Sequence, residues 1–284
     1  MKPYRKIYIE TTNRCNLNCV FCPGTRREPR MMTPEEFSFS LDQTEPLTDF
    51  VYLHLMGEPL LNPALFSFAD AVFERGLKLC LTTNGTLLGG PIGDGLIARI
   101  DRIHKINISL QAEEANALLD RERYIARCTA FGKAVSGRCI LVYRLWNEGG
   151  LNADNGYLLA ALHEAFPGDW EENTRGYRLA ERTFLEFGER FDWPDEAAPE
   201  VATQDGAFYC YGLKDQFGIL VDGTVVPCCL DHEGDIALGN IFTENIGTIL
   251  KSPRAVKLAE GFRKGHAEEA LCRRCGYATR FVKS

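Results

Sequence analysis

The sequence predicts an α/β fold: a partial (β/α)6 TIM-like barrel followed by a small Cys-rich C-terminal domain built from a β-hairpin plus a helix. Three observations predict it. Short apolar, β-rich runs alternate with helical patterns through the first two-thirds of the 284 residues, as parallel strands with helical crossovers require. Five or six such units fit, short of a complete eight-fold barrel, which takes ~250 residues. The last quarter is short and rich in Gly and Cys, with too little apolar surface to fold well alone.

The elements follow in order. Ile7-Tyr8-Ile9 reads as the first strand. Thr33-Pro34-Glu35-Glu36 starts a helix, with Thr33 as N-cap, Pro34 at the first position and Glu36 closing a capping box. Val51 to Met56 is a short buried strand. Asn62-Pro63 opens a helix that carries Leu65, Phe66, Ala69, Val72 and Phe73 and stops near Gly76. Leu77 to Thr82 is the third strand, ended by Asn84-Gly85. A helix at 92–100 leads to the fourth strand, Ile106 to Leu110. A helix at 121–134 leads to the fifth, Cys139 to Leu145, and 153–166 is helical again. The sixth strand falls in Thr183–Phe187. The acidic, Pro-rich stretch from Asp192 to Glu200 reads as a linker, dividing a core at 1–200 from a C-terminal domain at 201–284.

Composition excludes several classes. With 45% apolar and 25% charged residues, the chain is ordinary globular protein, neither disordered nor fibrous. A formal charge of −7 argues against nucleic-acid binding by bulk electrostatics. No apolar run approaches the ~20 residues of a membrane span, and Met1 to Lys6 is followed by no signal-peptide core. A cytoplasmic protein is expected. Eleven cysteines then point to metal binding or catalysis rather than disulfides.

Cys15, Cys19 and Cys22 lie within eight residues, after the first strand, at the end of a parallel α/β sheet where ligands bind. Zinc in structural sites takes four ligands, and no fourth His or Cys is near. A four-iron cluster normally takes four thiolates, so three leave one iron open, as a catalytic cluster needs. A zinc site or three unrelated buried cysteines are the plain alternatives.

The C-x3-C-x2-C spacing with Phe21 before the third cysteine, Gly57-Glu58-Pro59 after the second strand, Asn84-Gly85 after the third and Ser109 ending the fourth resemble the radical S-adenosylmethionine (radical SAM) superfamily over about residues 4–190. The resemblance implies that Cys15, Cys19 and Cys22 hold three irons of a 4Fe-4S cluster. S-adenosylmethionine would chelate the fourth and be cleaved reductively to a 5′-deoxyadenosyl radical, which takes a hydrogen atom from the substrate. It also implies that Phe21 lies near the adenine, that Gly57, Glu58 and Pro59 form the ammonium-binding turn, and that Asn84 and Ser109 sit near the adenosine. A reductant such as flavodoxin or ferredoxin is implied as partner. Arg144, at the end of the fifth strand, either pairs with a carboxylate of substrate or cofactor or is a surface arginine. His54 reads as a satisfied core histidine, and Cys80, Cys128 and Cys139 as small apolar residues.

The second set is Cys210, twelve residues, Gly223, four residues, Cys228, then Cys272 and Cys275. Asp222-Gly223 is a hairpin turn between apolar strands, which would carry Cys210 and Cys228 towards the Cys272–Cys275 pair. Four thiolates make a closed site, and zinc is the alternative. Asp222-Gly223, Pro227-Cys228 and Gly239-Asn240 resemble the SPASM domain and its shorter twitch form. With nine residues after Cys275, one auxiliary 4Fe-4S cluster on Cys210, Cys228, Cys272 and Cys275 is the consistent count. Cys229 either replaces Cys228 or packs.

The resemblance implies a radical oxidoreductase whose auxiliary cluster takes the electron left on the substrate, such as a small-molecule alcohol or aminocyclitol dehydrogenase. Peptide or protein maturation (thioether formation, epimerisation, formylglycine-type oxidation) is the alternative. The start of the chain so close to the first strand weighs modestly against it. An iron–sulfur electron carrier or scaffold is the non-enzymatic reading. No nucleic-acid or membrane partner is expected.

Overall fold

Each barrel strand has an apolar face and a polar one, and this alternation builds the fold. We describe a computed structural model, covering residues 2–112, 120–149, 155–201 and 208–281. Along strand β1 (Lys6–Ile9), Ile7 and Ile9 are fully buried against the helices, while Lys6 and Tyr8 face the other way. Helix α1 (Pro34–Thr44) begins with the expected capping box between Thr33 and Glu36. Strand β2 is only Phe50–Tyr52, shorter than the apolar run suggests, because the chain leaves the ladder towards a turn at Gly57. After a single 3-10 turn, α2 (Leu65–Glu74) ends at Gly76, whose φ of +67° is the left-handed stop expected of glycine.

Strand β3 (Lys78–Thr83), α3 (Gly90–Ala98), β4 (Ile103–Ser109), α4 (Arg121–Val135) and β5 (Ile140–Glu148) continue the alternation. Helix α5 follows at Gly156–Ala165; residues 153 and 154 of its expected range lie outside those described. A short antiparallel arm then intervenes, β6 (Glu171–Asn173) and β7 (Gly176–Ala180), which the sequence reading did not include. β6 is charged and exposed, and the apolar alternation of β7, Tyr177 and Leu179, is too short to read as a strand. The expected sixth parallel strand is β8 (Thr183–Glu189), paired parallel to β5.

The C-terminal segment contributes β9 (Gln216–Ile219), β10 (Thr224–Val226) and β11 (Gly239–Asn240), then α6 (Ile246–Ile249), α7 (Pro253–Arg263) and α8 (Ala270–Arg273). The β9–β10 pair is the hairpin expected around Asp222-Gly223. β9 also pairs parallel to β1, Lys6 with Gln216 through Ile9 with Ile219. The sheet order among the described residues is therefore β11-β10-β9-β1-β2-β3-β4-β5-β8-β7-β6, and its ends do not meet. It is an open, partial barrel. One apolar cluster runs from Ile7 to Leu271 and Ala278, so the C-terminal helices share the barrel's core. No helix among the described residues is long and apolar enough to cross a membrane.

Candidate active site

The loop after β1 is closed at its base and open at its tip. At the base, Thr12 Oγ1 donates to Arg30 O (3.0 Å), Asn13 Nδ2 to Glu28 O (2.9 Å), and Arg30 N to Asn13 Oδ1 (2.7 Å). These buried side chains fix both stems. At the tip, Cys15 is exposed and Cys19 and Cys22 are half-buried, all three as free thiols. Cys22 N donates to Cys19 O at 2.9 Å, so a tight turn joins the second and third cysteines. Burial raises the Cys15 and Cys22 pKa values above the ordinary thiol range, so a cationic partner is needed to hold them as thiolates.

Three predicted residues converge on this tip. Gly57 has φ +74°, and a Cβ there would stand 2.3 Å from Thr12 O and 2.8 Å from Arg14 O. Only glycine lets the turn after β2 lie against the backbone leading to Cys15. Glu58 N donates to Arg14 O at 2.8 Å. The buried Glu58 carboxylate accepts from Leu60 N (3.1 Å) and from Asn84 N (2.7 Å). Burial raises its pKa to about 7 against the opposing pull of these amides and Thr83. Asn84 Nδ2 in turn donates to Asn16 Oδ1 (2.9 Å) and approaches Cys15 Sγ (3.8 Å). Pro59 opens the 3-10 turn that Glu58 caps. Thus the loops after β1, β2 and β3 form one frame around Cys15.

Other expected residues are placed individually. Ser109 ends β4 half-buried, with its carbonyl accepting from Tyr124 Oη at 3.4 Å. Phe21 is half-buried, with the Arg190 guanidinium 5.9 Å from its ring centre. Arg144 is no surface arginine: it points into the barrel, 4.5 Å from the Trp146 ring, and its Nε is buried without a partner. His54 is not satisfied either; its Nδ1 is buried with no hydrogen bond. Cys80, Cys128 and Cys139 are buried, and burial lifts them to about 11, 12 and 12, so they stay neutral thiols.

Glu10 was not expected. At the end of β1, fully buried, it accepts from Arg27 Nη1 and Nη2 at 2.7 and 2.6 Å, from Met56 N at 3.1 Å and from Val221 N at 2.9 Å. Burial keeps its pKa raised despite Arg27. One carboxylate therefore joins the cysteine loop, the turn after β2 and the C-terminal hairpin. Glu233 adds a second tie, accepting from Arg26 N at 3.0 Å. The only sequence signal was an acidic residue where a buried strand leaves the sheet.

The C-terminal thiols form a second group. Cys228 is half-buried, and burial followed by the neighbouring Cys210, Cys229, Cys272 and Cys275 drives its pKa well up. Cys210 rises to about 12 by burial, although Gly212 N donates to its Sγ at 3.2 Å. Cys229 turns the other way, packing with Tyr8, Leu55, Leu220 and Val226 and hydrogen-bonding to Tyr8. Cys229 stays within electrostatic range of Cys210, Cys228 and Cys275 while its side chain packs on the barrel. Among the described residues no three Cys, His, Asp or Glu side chains close on one point as a single ion requires; a multi-iron cluster is a larger body and holds its thiolates further apart. Neutral thiols crowded in this way fit a polynuclear cation, which would ionise them together. Two surface clefts of about 290 and 590 Å3, one near Tyr4 and Val256 and the other near Glu244 and Lys251, contain none of these residues.

The radical SAM superfamily matches residues 9–127, and the SPASM iron–sulfur cluster-binding domain matches residues 210–276. The AdoMet-dependent heme synthase of Methanosarcina barkeri is 33% identical over 114 residues, 39% of this chain and 32% of that protein, so the match spans about a third of its length. The structure of BtrN with AdoMet and 2-DOIA is similar at TM-score 0.63 and 18% identity, over 97% of this chain and 94% of that one. Native anSMEcpe with AdoMet and a Cp18Cys peptide is similar at TM-score 0.65 and 14% identity, over 99% and 91%. At these identities the two structures establish the fold alone.

Proposed function

For a chain that belongs to the radical SAM superfamily and carries a C-terminal SPASM domain, we propose an oxidoreductase that acts on a small molecule by hydrogen-atom abstraction. When bound, a three-thiolate 4Fe-4S cluster with S-adenosylmethionine supplies reductive cleavage of the sulfonium and, through it, hydrogen abstraction from an unactivated carbon. The chain's own residues do the rest. Cys15, Cys19 and Cys22 would hold the cluster on the open loop tip, within residues 1–200. The Gly57–Glu58–Pro59 turn and Asn84 would set the cofactor's amino-acid end against that tip, Phe21 and Ser109 its adenosine end. Cys210, Cys228, Cys272 and Cys275, in 201–284, would hold the auxiliary cluster that accepts the substrate's electron. A single-electron reductant protein would serve as donor.

One observation carries the reading: the loops after three adjacent parallel strands converge on Cys15, with Gly57 against its stem and Asn84 at its sulfur. The test is anaerobic reconstitution with iron and sulfide, then S-adenosylmethionine and dithionite. We expect 5′-deoxyadenosine from the wild type and none from Cys19→Ala. Equal release from both would overturn the assignment.

A further inference from the structure

The inner row of the six parallel strands, facing the lumen, is only partly packed. Their helix-side residues, among them Ile7, Val51, Leu79, Ile106 and Leu185, are at most 1% exposed. The residues alternating with them, including Lys6, Tyr52, Lys105, Arg144 and Glu186, are only half-buried. In a closed barrel such inward layers fill the interior. Here Tyr8, Cys80, Asn107 and Val142 of the same row are buried, while solvent reaches Lys6, Tyr52, Lys105, Arg144 and Glu186.

The charge on that row is one-sided. Lys6 from β1, Lys105 from β4 and Arg144 from β5 face Glu186 from β8. Burial and then the Arg144 charge lower the Lys105 pKa, so the cations already press on one another. Among the described residues Arg144 makes no ion pair, and its buried Nε has no hydrogen-bond partner. His54 stands on the same wall, between Tyr8 and Tyr52 with ring centres 5.2 and 5.9 Å away. Burial, then the Arg144 and Lys6 charges, push its pKa down to about 3, leaving a neutral ring whose Nδ1 is unpartnered. Glu186, in register with Arg144 on β8, is its nearest counter-charge, and this one carboxylate faces three cations, so the row keeps a net positive charge. A buried polar atom without a partner calls for an explanation, and Arg144 as a whole is only half-buried, so part of its side chain stays open to a ligand.

We propose that the lumen binds the carboxylate or phosphate of an anionic substrate, with Arg144 as its main partner and Lys105 and Lys6 as supporting charge. The word substrate rests on the reaction proposed above; the anion site does not. A guanidinium presents parallel N–H donors that match either oxyanion. The stack on Trp146 restrains its plane. Against three cations, an ammonium-bearing aminocyclitol would be repelled, so among small alcohols the charge selects an acid. The carboxylate of S-adenosylmethionine shares this chemistry. Yet Lys6 opens β1 at the end away from the cysteine loop, and Lys105 sits in register with Cys80, three residues below Thr83. The positive row extends down the barrel, beyond the Cys15 tip.

The test uses the reconstituted full chain, with inorganic phosphate and malonate as probes in calorimetric titrations, beside a titration with S-adenosylmethionine. We expect the wild type to bind at least one anion and Arg144→Met to weaken it by about tenfold or more, as for a lost charge-assisted bond. Arg144 stands in register with Ser109 at the cofactor's adenosine end, so S-adenosylmethionine affinity is compared on Lys105→Met, where it should change by less than about twofold. Lys105→Met should weaken the anion alone, and stands as the second variant should Arg144→Met fail to fold. No anion binding to the wild type overturns the proposal. So does loss of S-adenosylmethionine binding with anion binding kept, which gives the guanidinium to the cofactor. Release of 5′-deoxyadenosine is measured in parallel. Cleavage without anion binding overturns this proposal alone, whereas anion binding without cleavage upholds the site and overturns the reaction.

Discussion

Gly57→Ala puts the frame around Cys15 under a defined load. The residue holds φ +74°, and its new Cβ would stand 2.3 Å from Thr12 O and 2.8 Å from Arg14 O. Left-handed backbone costs an L-residue about 1–2 kcal/mol, and overpacking a fixed site costs a further ~1–3 kcal/mol. Neither carbonyl is free to step aside, because the Thr12 hydroxyl is tied to Arg30 O and Arg14 O accepts from Glu58 N. The sum, roughly 2–5 kcal/mol, should lower the melting temperature by about 4–20 °C at ~2–4 °C per kcal/mol. The stem of the cysteine loop must also shift by several tenths of an ångström, and misplacement of about 1 Å can cost on the order of a hundredfold in rate. Gly24→Ala is the internal control: same loop, φ +66°, and nothing within 4 Å of its Cβ. It should bear only the backbone term. The assays are thermal melting, iron content after reconstitution and 5′-deoxyadenosine release. If Gly57→Ala matches Gly24→Ala in all three, the contact between the turn after β2 and the cysteine loop has no part in building the site.

Three further perturbations follow from the same contacts. Arg27→Met strands the buried Glu10 carboxylate and should destabilise the protein by about 3–5 kcal/mol in denaturant titration; a loss under ~1 kcal/mol, the scale of a surface pair, would show that Glu10 is not the junction described. Because burial raises Glu58 to about 7, its folded form holds a proton that the unfolded chain gives up above the ordinary carboxyl range near 4.5. The stability it contributes is complete below pH ~4.5 and fades as pH rises to ~7, so the melting-temperature advantage of the wild type over Glu58→Gln should narrow across that window, and a constant gap would contradict the shift. Cys228→Ser should lower the iron count of the reconstituted protein by up to about four, while Cys229→Ser leaves it unchanged; the reverse pattern would exchange the two roles.

Local chemistry made much of this legible. The capping box from Thr33 to Glu36 and the Asp222-Gly223 hairpin depend on neighbours in sequence, and both stand in the structure. The cysteine spacing and Gly57-Glu58 were readable because they fall directly after strands. What escaped was set by distance along the chain. Glu10 meets Val221 N across 211 residues, and nothing in either residue's surroundings announces the other. The parallel pairing of β9 with β1 is of the same kind. So is the charge of the lumen: Arg144 was readable as a candidate carboxylate partner, but Lys6 and Lys105 look like ordinary surface cations until alternation along their strands turns them inward beside it. His54 was misjudged for the same reason, since whether a buried histidine is satisfied depends on the opposite wall.

The division of labour between the two cysteine groups is tested most directly by the Cys272→Ala/Cys275→Ala double variant, with iron, 5′-deoxyadenosine and circular dichroism determined on one anaerobic preparation. The account predicts a folded protein that has lost up to about four irons and still releases 5′-deoxyadenosine. A folded double variant that no longer cleaves S-adenosylmethionine, with the Cys15–Cys19–Cys22 loop intact, would contradict it.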